Sequence, residues 1–157
     1  MDRAIDTLMS PWLNPDQVRA SHAIMGLDTQ LIADRTYFAV TSDGAFAGCG
    51  GWSRRATLYG GDHSTDLREP RLLDPATEPA RIRAMYTDPA FVRRGVGRMI
   101  LEACEAAARA EGFRAAEMMA TLAGEPLYAA AGYQAVERVT DASGGVPVPL
   151  VRMRKPL

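Results

Sequence analysis

Two glycines at the start of a helical pattern are the most suggestive residues of the chain. Gly95 and Gly97 follow Arg93 and Arg94, and a helical spacing of apolar residues begins directly after them. The free amides and the positive dipole end of a helix N-terminus attract anions, and glycine lets the main chain approach them closely. The arginine side chains add positive charge. This stretch therefore predicts a phosphate-binding loop.

Three kinds of phosphate loop place glycines before a helix. A dinucleotide fingerprint requires a further glycine three residues after the second, and Ile100 occupies that position. A triphosphate P-loop requires Gly-Lys followed by Ser or Thr, which the chain lacks. These comparisons exclude the P-loop and disfavour the dinucleotide site. They favour a pyrophosphate cradle made of consecutive amides at a tight strand-to-helix turn.

The elements that would position this loop can be predicted from hydrophobic spacing and turn residues. Asn14-Pro15 is a helix start, and Asp43-Gly44 is a hairpin turn. Glu105 and Arg109 are spaced as an ion pair on the outer face of the central helix. In chain order we predict a helix from Asn14 to Gly26, strands Tyr37–Thr41 and Ala45–Trp52, a long loop Arg54–Pro79, strand Arg81–Thr87, helix Arg94–Gly112, strand Phe113–Thr121, helix Glu125–Ala131, and strands Tyr133–Val139 and Val146–Met153.

This order predicts the fold class. A hairpin followed by a strand–helix–strand unit implies an α/β fold with a mixed sheet and helices on its faces. The 157 residues suffice for one domain, residues 1–157, and 47% apolar with 24% charged residues is ordinary for a globular protein.

Composition also excludes several classes of partner. The net charge of −1 argues against nucleic-acid binding. No apolar run reaches the roughly 18 residues of a membrane span, and no signal peptide is present. Two cysteines, Cys49 and Cys104, do not make the disulfide framework of a small secreted fold, so we expect a cytoplasmic protein with buried thiols.

The glycine loop resembles a motif of a known family. The segment RRGVGRMI, after the strand RIRAMYTDP, resembles the acyl-coenzyme A loop of the GCN5-related N-acetyltransferases. Their signature is Gln/Arg-x-x-Gly-x-Gly/Ala. Gly95 and Gly97 match its last two positions, whereas Val92 stands at the first. The departure concerns a side-chain contact and leaves the main-chain cradle intact.

A second motif of the same family lies further along the chain. The segment TLAGEPLYAAAGY is similar to a strand end, a short helix with Leu-Tyr and a closing Gly-Phe/Tyr. Leu127-Tyr128 and Gly132-Tyr133 match this pattern, and Thr121 stands where the family usually has Asn. The order and the spacing of the two motifs agree with the family as well.

The resemblance covers Tyr37 to Leu157 and implies the acyl-CoA N-acyltransferase fold. That fold has a mixed, centrally splayed β-sheet flanked by helices, and its first strand is missing here. Two explanations stay open: the true start lies elsewhere, or the exposed edge is covered in another way, for instance by the second subunit of a homodimer.

The resemblance also implies the chemistry, a direct transfer of acetyl from acetyl-CoA to the amine of a small molecule or a peptide, without a metal. The backbone of the strand residues Met85, Tyr86 and Thr87 would pair with the pantetheine arm and polarise the thioester carbonyl. Thr121 would contact the same molecule. The pyrophosphate would lie on the loop amides of Arg93, Arg94, Gly95, Val96, Gly97 and Arg98.

Proton transfers need further groups. Tyr128 is the candidate general acid or thiol-orienting group, because a phenol with a pKa of about 10 stays protonated at neutral pH. The base stays open between Glu78, His63 and water. Trp52 and Tyr59 flank the long loop and could line the amine pocket.

Two other classes of function remain at this stage. Val92, Thr121 and the missing strand are compatible with a catalytically inactive acyl-CoA-binding sensor or subunit. An unrelated α/β binding module, in which Gly95 and Gly97 only make a turn, would bind no acyl-CoA at all.

Overall fold

A six-stranded mixed sheet with helices on both faces forms the fold in a computed structural model that describes residues 1–157. The strand order is β1-β2-β3-β4-β6-β5, and the neighbours are antiparallel except β3 and β4. The elements are α1 Asp2–Met9, α2 Pro15–Ser21, α3 Thr29–Ala33, β1 Tyr37–Ser42, β2 Ala45–Ser53, β3 Ala80–Thr87, α4 Val96–Ala110, β4 Ala115–Thr121, α5 Glu125–Ala130, β5 Gln134–Asp141 and β6 Val148–Pro156.

The centre of the sheet is splayed, which confirms the predicted fold class. The parallel strands β3 and β4 pair only through Ala80 with Ala116 and Arg81 with Glu117. Beyond this point β3 keeps its other neighbour, β2, as far as Thr87. The β4-facing edge of β3 therefore has no strand partner in its second half.

No strand precedes Tyr37, so β1 forms one edge of the sheet and pairs only with β2. The predicted absence of the family's first strand therefore agrees with the structure. The hairpin between β1 and β2 turns at Asp43 and Gly44, which have φ angles of 51° and 78°. Two consecutive left-handed residues are typical of a type I′ turn, and the hairpin turn predicted at this position is confirmed.

Each face of the sheet has its own core. The larger cluster includes Ile100 and Cys104 of α4 together with Trp52 of β2. The smaller cluster joins Ile5 of α1 and residues of α2 to Cys49 and Tyr86 on the other face. Both cysteines are buried free thiols, as expected. None of the helices combines the length and the hydropathy that crossing a lipid bilayer requires.

The helix α2 starts where predicted but ends earlier. The side chain of Asn14 accepts from the Gln17 amide at 2.9 Å, and the Gln17 side chain accepts from the Asn14 amide at 3.1 Å, a complete capping box. The helix ends at Ser21 rather than near Gly26. The Tyr86 hydroxyl accepts from the Gly26 amide at 2.7 Å and donates to its carbonyl at 3.2 Å. This contact holds the segment after α2 against the sheet.

The long loop between β2 and β3 folds back on itself. The Leu73 amide donates to the Arg54 carbonyl at 2.8 Å, and the Ala56 amide donates to the Arg71 carbonyl at 2.9 Å. The tip of this loop brings Tyr59 to the face of the sheet that α1 and α2 cover. The loop thus contributes a wall to the site described below.

The predicted outward orientation of Glu105 was wrong. Glu105 is 4% exposed, and its carboxylate accepts from Lys155 Nζ of β6 at 2.9 Å and from Arg109 at 3.3 Å. A carboxylate that receives two cations can be buried, because the pairing offsets its desolvation. The helix spacing alone did not indicate the lysine, which lies 50 residues away.

Candidate active site

A groove runs past the start of α4, between α1, the separated ends of β3 and β4, and α5. Its volume is about 730 Å³. We call it the α4 groove. Of the ten residues predicted to contact acetyl-CoA, nine line it: Met85, Tyr86, Thr87, Arg93, Gly95, Val96, Gly97, Arg98 and Thr121.

The main chain at the start of α4 presents a row of unpaired amides. None of the amides from Arg93 to Arg98 donates to a backbone oxygen. Arg93 and Gly95 adopt left-handed φ angles of 63° and 81°, and Gly95 is the residue that precedes the helix. Such turns make concave nests of amides that bind anions. The geometry fits a phosphate group.

Gly97 explains why the groove stays open at this point. A Cβ atom at Gly97 would lie 2.9 Å from Cδ2 of Leu127 in α5. A side chain there would clash with α5 or fill the space above the amides. Glycine therefore keeps the amides accessible while α4 and α5 remain close.

The arginines of the loop have different environments. Arg94 is not part of the groove wall, since its guanidinium stacks on the Phe91 ring at 5.3 Å. Arg98 pairs with Glu102 at 2.9 Å. Arg93 lines the groove. The main chain and Arg93, rather than all three arginines, are thus the groups that face the groove without a protein partner.

Val92 and Thr121 are the two departures from the family motifs, and both lie at the groove. Val92 is 37% exposed and adds an apolar surface. The Oγ1 atom of Thr121 accepts from the Gly124 amide at 3.1 Å. The threonine hydroxyl therefore supports the turn before α5, and its own hydrogen remains available.

A β-bulge in β3 shapes the open strand edge. Ala84 has a φ angle of 51°, and the register changes between Cys49 opposite Tyr86 and Gly51 opposite Arg83. The extra residue bends the strand and changes which side chains share a face. On the β4 side the main-chain groups that follow have no strand partner. An extended ligand could pair with them as an added strand does.

A second, smaller cavity of about 90 Å³ adjoins the groove. We call it the β3 cavity. Its walls come from β3, β4, the segment after α2 and the long loop. The residues that line both cavities are Met25, Met85, Tyr86, Thr121 and Tyr128. The two cavities are therefore adjoining parts of one site.

Tyr128 lies at the junction of the two cavities. It is 8% exposed, and burial raises the pKa of its hydroxyl above the usual value. No hydrogen bond within the protein uses this hydroxyl, and Tyr128 lines both cavities. At neutral pH the group is protonated and can donate to an atom placed at the junction.

The β3 cavity has no side chain that titrates near neutral pH. Burial, followed by hydrogen bonding to Asp141, raises the pKa of Tyr59 to about 12, and its hydroxyl donates to Asp141 Oδ2 at 2.7 Å. Burial raises the pKa of Tyr86 to about 12. Burial lowers the pKa of Arg83 to about 10, so it remains charged. No carboxylate or imidazole belongs to the cavity wall.

Of the residues predicted for proton transfer or for the amine pocket, three lie away from both cavities. The carboxylate of Glu78 pairs with Arg71 at 2.9 Å, and hydrogen bonds from Arg71 lower the pKa of Glu78 to about 2. His63 Nε2 contacts the His22 carbonyl at 2.7 Å. Trp52 is 2% exposed and packs edge-on against Phe113. Of the two aromatic residues proposed for the amine pocket, the structure brings only Tyr59 to the cavity wall.

Sequence reasoning missed Arg83. Its side chain is 2% exposed and lines the β3 cavity, whereas the sequence placed it only within the predicted strand Arg81–Thr87. A basic residue on a strand facing a core was the available signal, since buried arginines need partners.

A family model and solved structures match this chain. The model of the acetyltransferase (GNAT) family matches residues 2–133. A GCN5-related N-acetyltransferase from Rhodopseudomonas palustris has a TM-score of 0.71 and 21% identity, and the match covers 99% of this chain and 84% of that chain. No curated protein matches significantly.

Two further structures extend the comparison. The PaiA N-acetyltransferase from Thermoplasma acidophilum, solved in complex with coenzyme A, has a TM-score of 0.61 and 10% identity over 99% of this chain and 87% of that chain. A ribosomal-protein-alanine N-acetyltransferase from Brucella melitensis has a TM-score of 0.60 and 14% identity over 82% of this chain and 73% of that chain. At these identities the structures show a shared fold.

Proposed function

Since the chain belongs to the acetyltransferase (GNAT) family, we propose that it transfers acetyl from acetyl-CoA directly to the amine of a small acceptor. One observation carries the proposal. A groove with unpaired helix-start amides and a small cavity share a wall that contains Tyr128. The thioester of acetyl-CoA supplies the activated acetyl group, and the protein supplies binding, orientation and hydrogen bonds.

The α4 groove suits the donor. The amides of Arg93 to Arg98 would hold the pyrophosphate, because they lie at the start of a helix, have no backbone acceptor, and all of these residues except Arg94 line the groove. The β4-facing edge of Met85, Tyr86 and Thr87 would pair with the amide groups of the pantetheine arm. Coenzyme A bound to the related PaiA structure supports a donor of this chemical class.

Tyr128 would stabilise the leaving thiolate by donating a hydrogen bond. Its pKa is raised by burial and lies above the thiol value of about 8.5, so complete proton transfer to sulfur would be uphill. A hydrogen bond to the developing negative charge requires no such transfer. The tyrosine thus orients and stabilises the sulfur, and solvent completes the protonation.

Direct transfer is supported by the position of the cysteines. Cys49 and Cys104 are both buried, and neither borders the α4 groove or the β3 cavity. Burial raises the pKa of Cys104 to about 12 and raises that of Cys49 as well. A thiol must be ionised and accessible to accept an acyl group, so neither cysteine suits a covalent intermediate.

The amine would lose its proton to water. The titratable side chains on the wall of the β3 cavity are Tyr59, Tyr86, Tyr128 and Arg83, and none of them accepts a proton near neutral pH. The fraction of the acceptor that is already neutral then reacts. The size of this cavity, about 90 Å³, favours a small acceptor over a folded protein.

A second function is favoured by the same lack of a base. An acyl-CoA-binding protein without transfer activity would keep the groove and need no proton acceptor in the β3 cavity. Val92, at the first position of the family motif, is compatible with either function.

Two measurements test the proposal. We expect saturating acetyl-CoA to raise the melting temperature, since a ligand that binds only the folded state stabilises it. We expect amine-dependent release of free thiol across a panel of small amines. Stabilisation without release by any amine would favour the sensor. Absence of both effects would contradict each acyl-CoA function.

A further inference from the structure

The buried guanidinium of Arg83 has two nitrogen atoms that the protein leaves without a hydrogen-bond partner. The side chain is 2% exposed, yet Nε and Nη1 are buried and donate to no protein atom. An unsatisfied buried donor costs free energy, and the cost is larger for a charged group. Such donors are rare in folded proteins. This arrangement points to a ligand with acceptor oxygens.

The protein contacts of Arg83 all use its third nitrogen. Nη2 forms an ion pair with Asp28 and donates to the Gly60 carbonyl at 2.9 Å. Asp28 is 1% exposed, and it also pairs with Arg68 at 3.0 Å. Asp62, a further acid near Arg83, is exposed and accepts from the Thr29 amide at 2.9 Å. One buried carboxylate therefore faces two guanidinium groups.

The bulge in β3 directs Arg83 toward the β3 cavity. Because Ala84 is the extra residue, Arg83 and Tyr86 fall on the same face of the strand. Both residues line the β3 cavity, as does Tyr128. A small acceptor in this cavity would therefore lie beside the Arg83 side chain and next to the junction with the α4 groove.

We propose that Arg83 binds a carboxylate of the acceptor, so that the acceptor is a small α-amino acid or a similar amine with an acid group. This inference rests on the proposed acetyl transfer. The cavity of about 90 Å³ has room for roughly six groups of water size. Its other walls include Leu58, Met118 and Leu150, which suit a short apolar side chain. A polyamine would place a second cation beside Arg83.

The first experiment uses the unmodified protein with matched acceptors. Glycine, L-alanine, L-valine and L-methionine are compared with their carboxamides by release of free thiol from acetyl-CoA. The carboxamides have the less basic amines, so intrinsic reactivity at a given pH favours them. We expect kcat/KM to be on the order of tenfold to a hundredfold higher for the acids, the range of a charge-assisted hydrogen bond.

The outcomes separate this inference from the proposed function. Equal or faster acetylation of the carboxamides, or of putrescine, would overturn the carboxylate site and leave acetyl transfer intact. Thiol release with none of the acceptors, acids and amides alike, would overturn acetyl transfer and the inference with it. A preference for aminoalkyl phosphonates over the acids would also contradict it.

The second experiment compares Arg83→Gln with Arg68→Gln. Asp28 keeps a guanidinium partner in each variant, so both are expected to fold, and circular dichroism checks this. We expect Arg83→Gln to raise KM for L-alanine on the order of tenfold or more and to abolish the preference over the carboxamide. Arg83→Lys retains the charge and should restore part of that preference.

Arg68→Gln is the matched control because it also removes one cation from Asp28. Arg68 does not line the β3 cavity, so its loss should lower the melting temperature and keep the ratio of acid to carboxamide. The inference is overturned if Arg68→Gln changes this ratio as much as Arg83→Gln does, since both residues would then act only by supporting the fold.

Discussion

Glu117 accepts a hydrogen bond from Arg81 Nη1 at 2.7 Å, and these two residues form the last pair between β3 and β4. The same carboxylate oxygen accepts from Arg152 Nε at 2.9 Å. Glu117 is 1% exposed. This buried ion pair thus lies at the point where the central strands separate, and one carboxylate holds two guanidinium groups there.

We expect Glu117→Gln to be among the most destabilising single substitutions in the sheet. The variant leaves Arg81 without its counter-charge and leaves Arg152 with only the longer contact to Glu137 at 3.8 Å. Breaking a buried pair in this way costs about 3 to 5 kcal/mol. Urea denaturation measures the loss in the free energy of unfolding. The matched control is Glu102→Gln, because the pair of Glu102 with Arg98 is exposed and should contribute less than about 1 kcal/mol. If both variants lost a similar free energy of unfolding, the buried pairing of Glu117 would not be a major source of stability.

We expect Gly95→Ala to weaken acetyl-CoA binding. Gly95 has a φ of 81°, and no atom lies within 4 Å of the position that the Cβ of an alanine would take. That Cβ would therefore enter the open groove rather than clash with the protein. Gly44, in the β1–β2 turn, is the matched control with a φ of 78° and the same open surroundings. Each substitution should cost about 1 to 2 kcal/mol of stability. In calorimetric titration with acetyl-CoA, the dissociation constant should rise roughly tenfold for Gly95→Ala. It should stay unchanged for Gly44→Ala.

We expect Tyr128→Phe to lower kcat by roughly tenfold to a hundredfold while KM for acetyl-CoA changes little. The hydroxyl makes no hydrogen bond within the protein, so its removal should affect the leaving thiolate rather than the fold. The expected result is a kcat lowered to this extent at an unchanged melting temperature. Tyr133→Phe serves as the control. The ring centroids of Tyr133 and Tyr128 are 6.2 Å apart, but Tyr133 lines neither cavity.

We expect the pH dependence of kcat/KM to follow the acceptor. The β3 cavity contains no group that accepts a proton near neutral pH, since Tyr59 and Tyr86 both have pKa values of about 12. The rate should therefore rise with pH until the amine of the acceptor is neutral. Rate profiles for two acceptors with different amine pKa values should have different midpoints. A shared midpoint near neutral pH would instead reveal a base in the protein.

We expect Glu78→Gln to retain turnover and to lose stability at neutral pH. The carboxylate is occupied by Arg71 and lies outside both cavities. Because the pKa of Glu78 falls from 4.5 to about 2 on folding, its stabilisation is complete above the unfolded pKa and is lost as the pH falls toward the folded pKa. Melting temperatures of variant and wild type should therefore converge in acid. Lost turnover with intact folding would restore Glu78 as a candidate base.

Local signals in the sequence predicted the parts of the fold that depend on a few neighbouring residues. Asn14-Pro15 marks a helix start and Asp43-Gly44 marks a hairpin because the required hydrogen bonds and φ angles arise within four residues. Gly95 and Gly97 marked the helix-start nest for the same reason. The helix α3, Thr29–Ala33, was missed, since it has five residues and no side-chain cap.

The parts that could not be predicted depend on residues far apart in the chain. Glu105 was assigned to the outer face because its partner Lys155 belongs to the last strand. The partners of Arg83, Asp28 and Gly60, come from two other segments. The spacing of apolar residues indicates which side of a helix or strand is apolar. It does not indicate which charged residue from a distant part of the chain will lie against that side.

The row of amides from Arg93 to Arg98 has a consequence for how such sequences can change. A cradle made of main-chain atoms is present with almost any side chains, provided that the glycines preserve its turn and its open space. Val92 can therefore replace a polar residue without removing the cradle. Substitutions of side chains that do not face the groove should then have little effect on anion binding. Substitutions should therefore be restricted at the glycines and tolerated at Arg94, which stacks on Phe91 and does not line the groove.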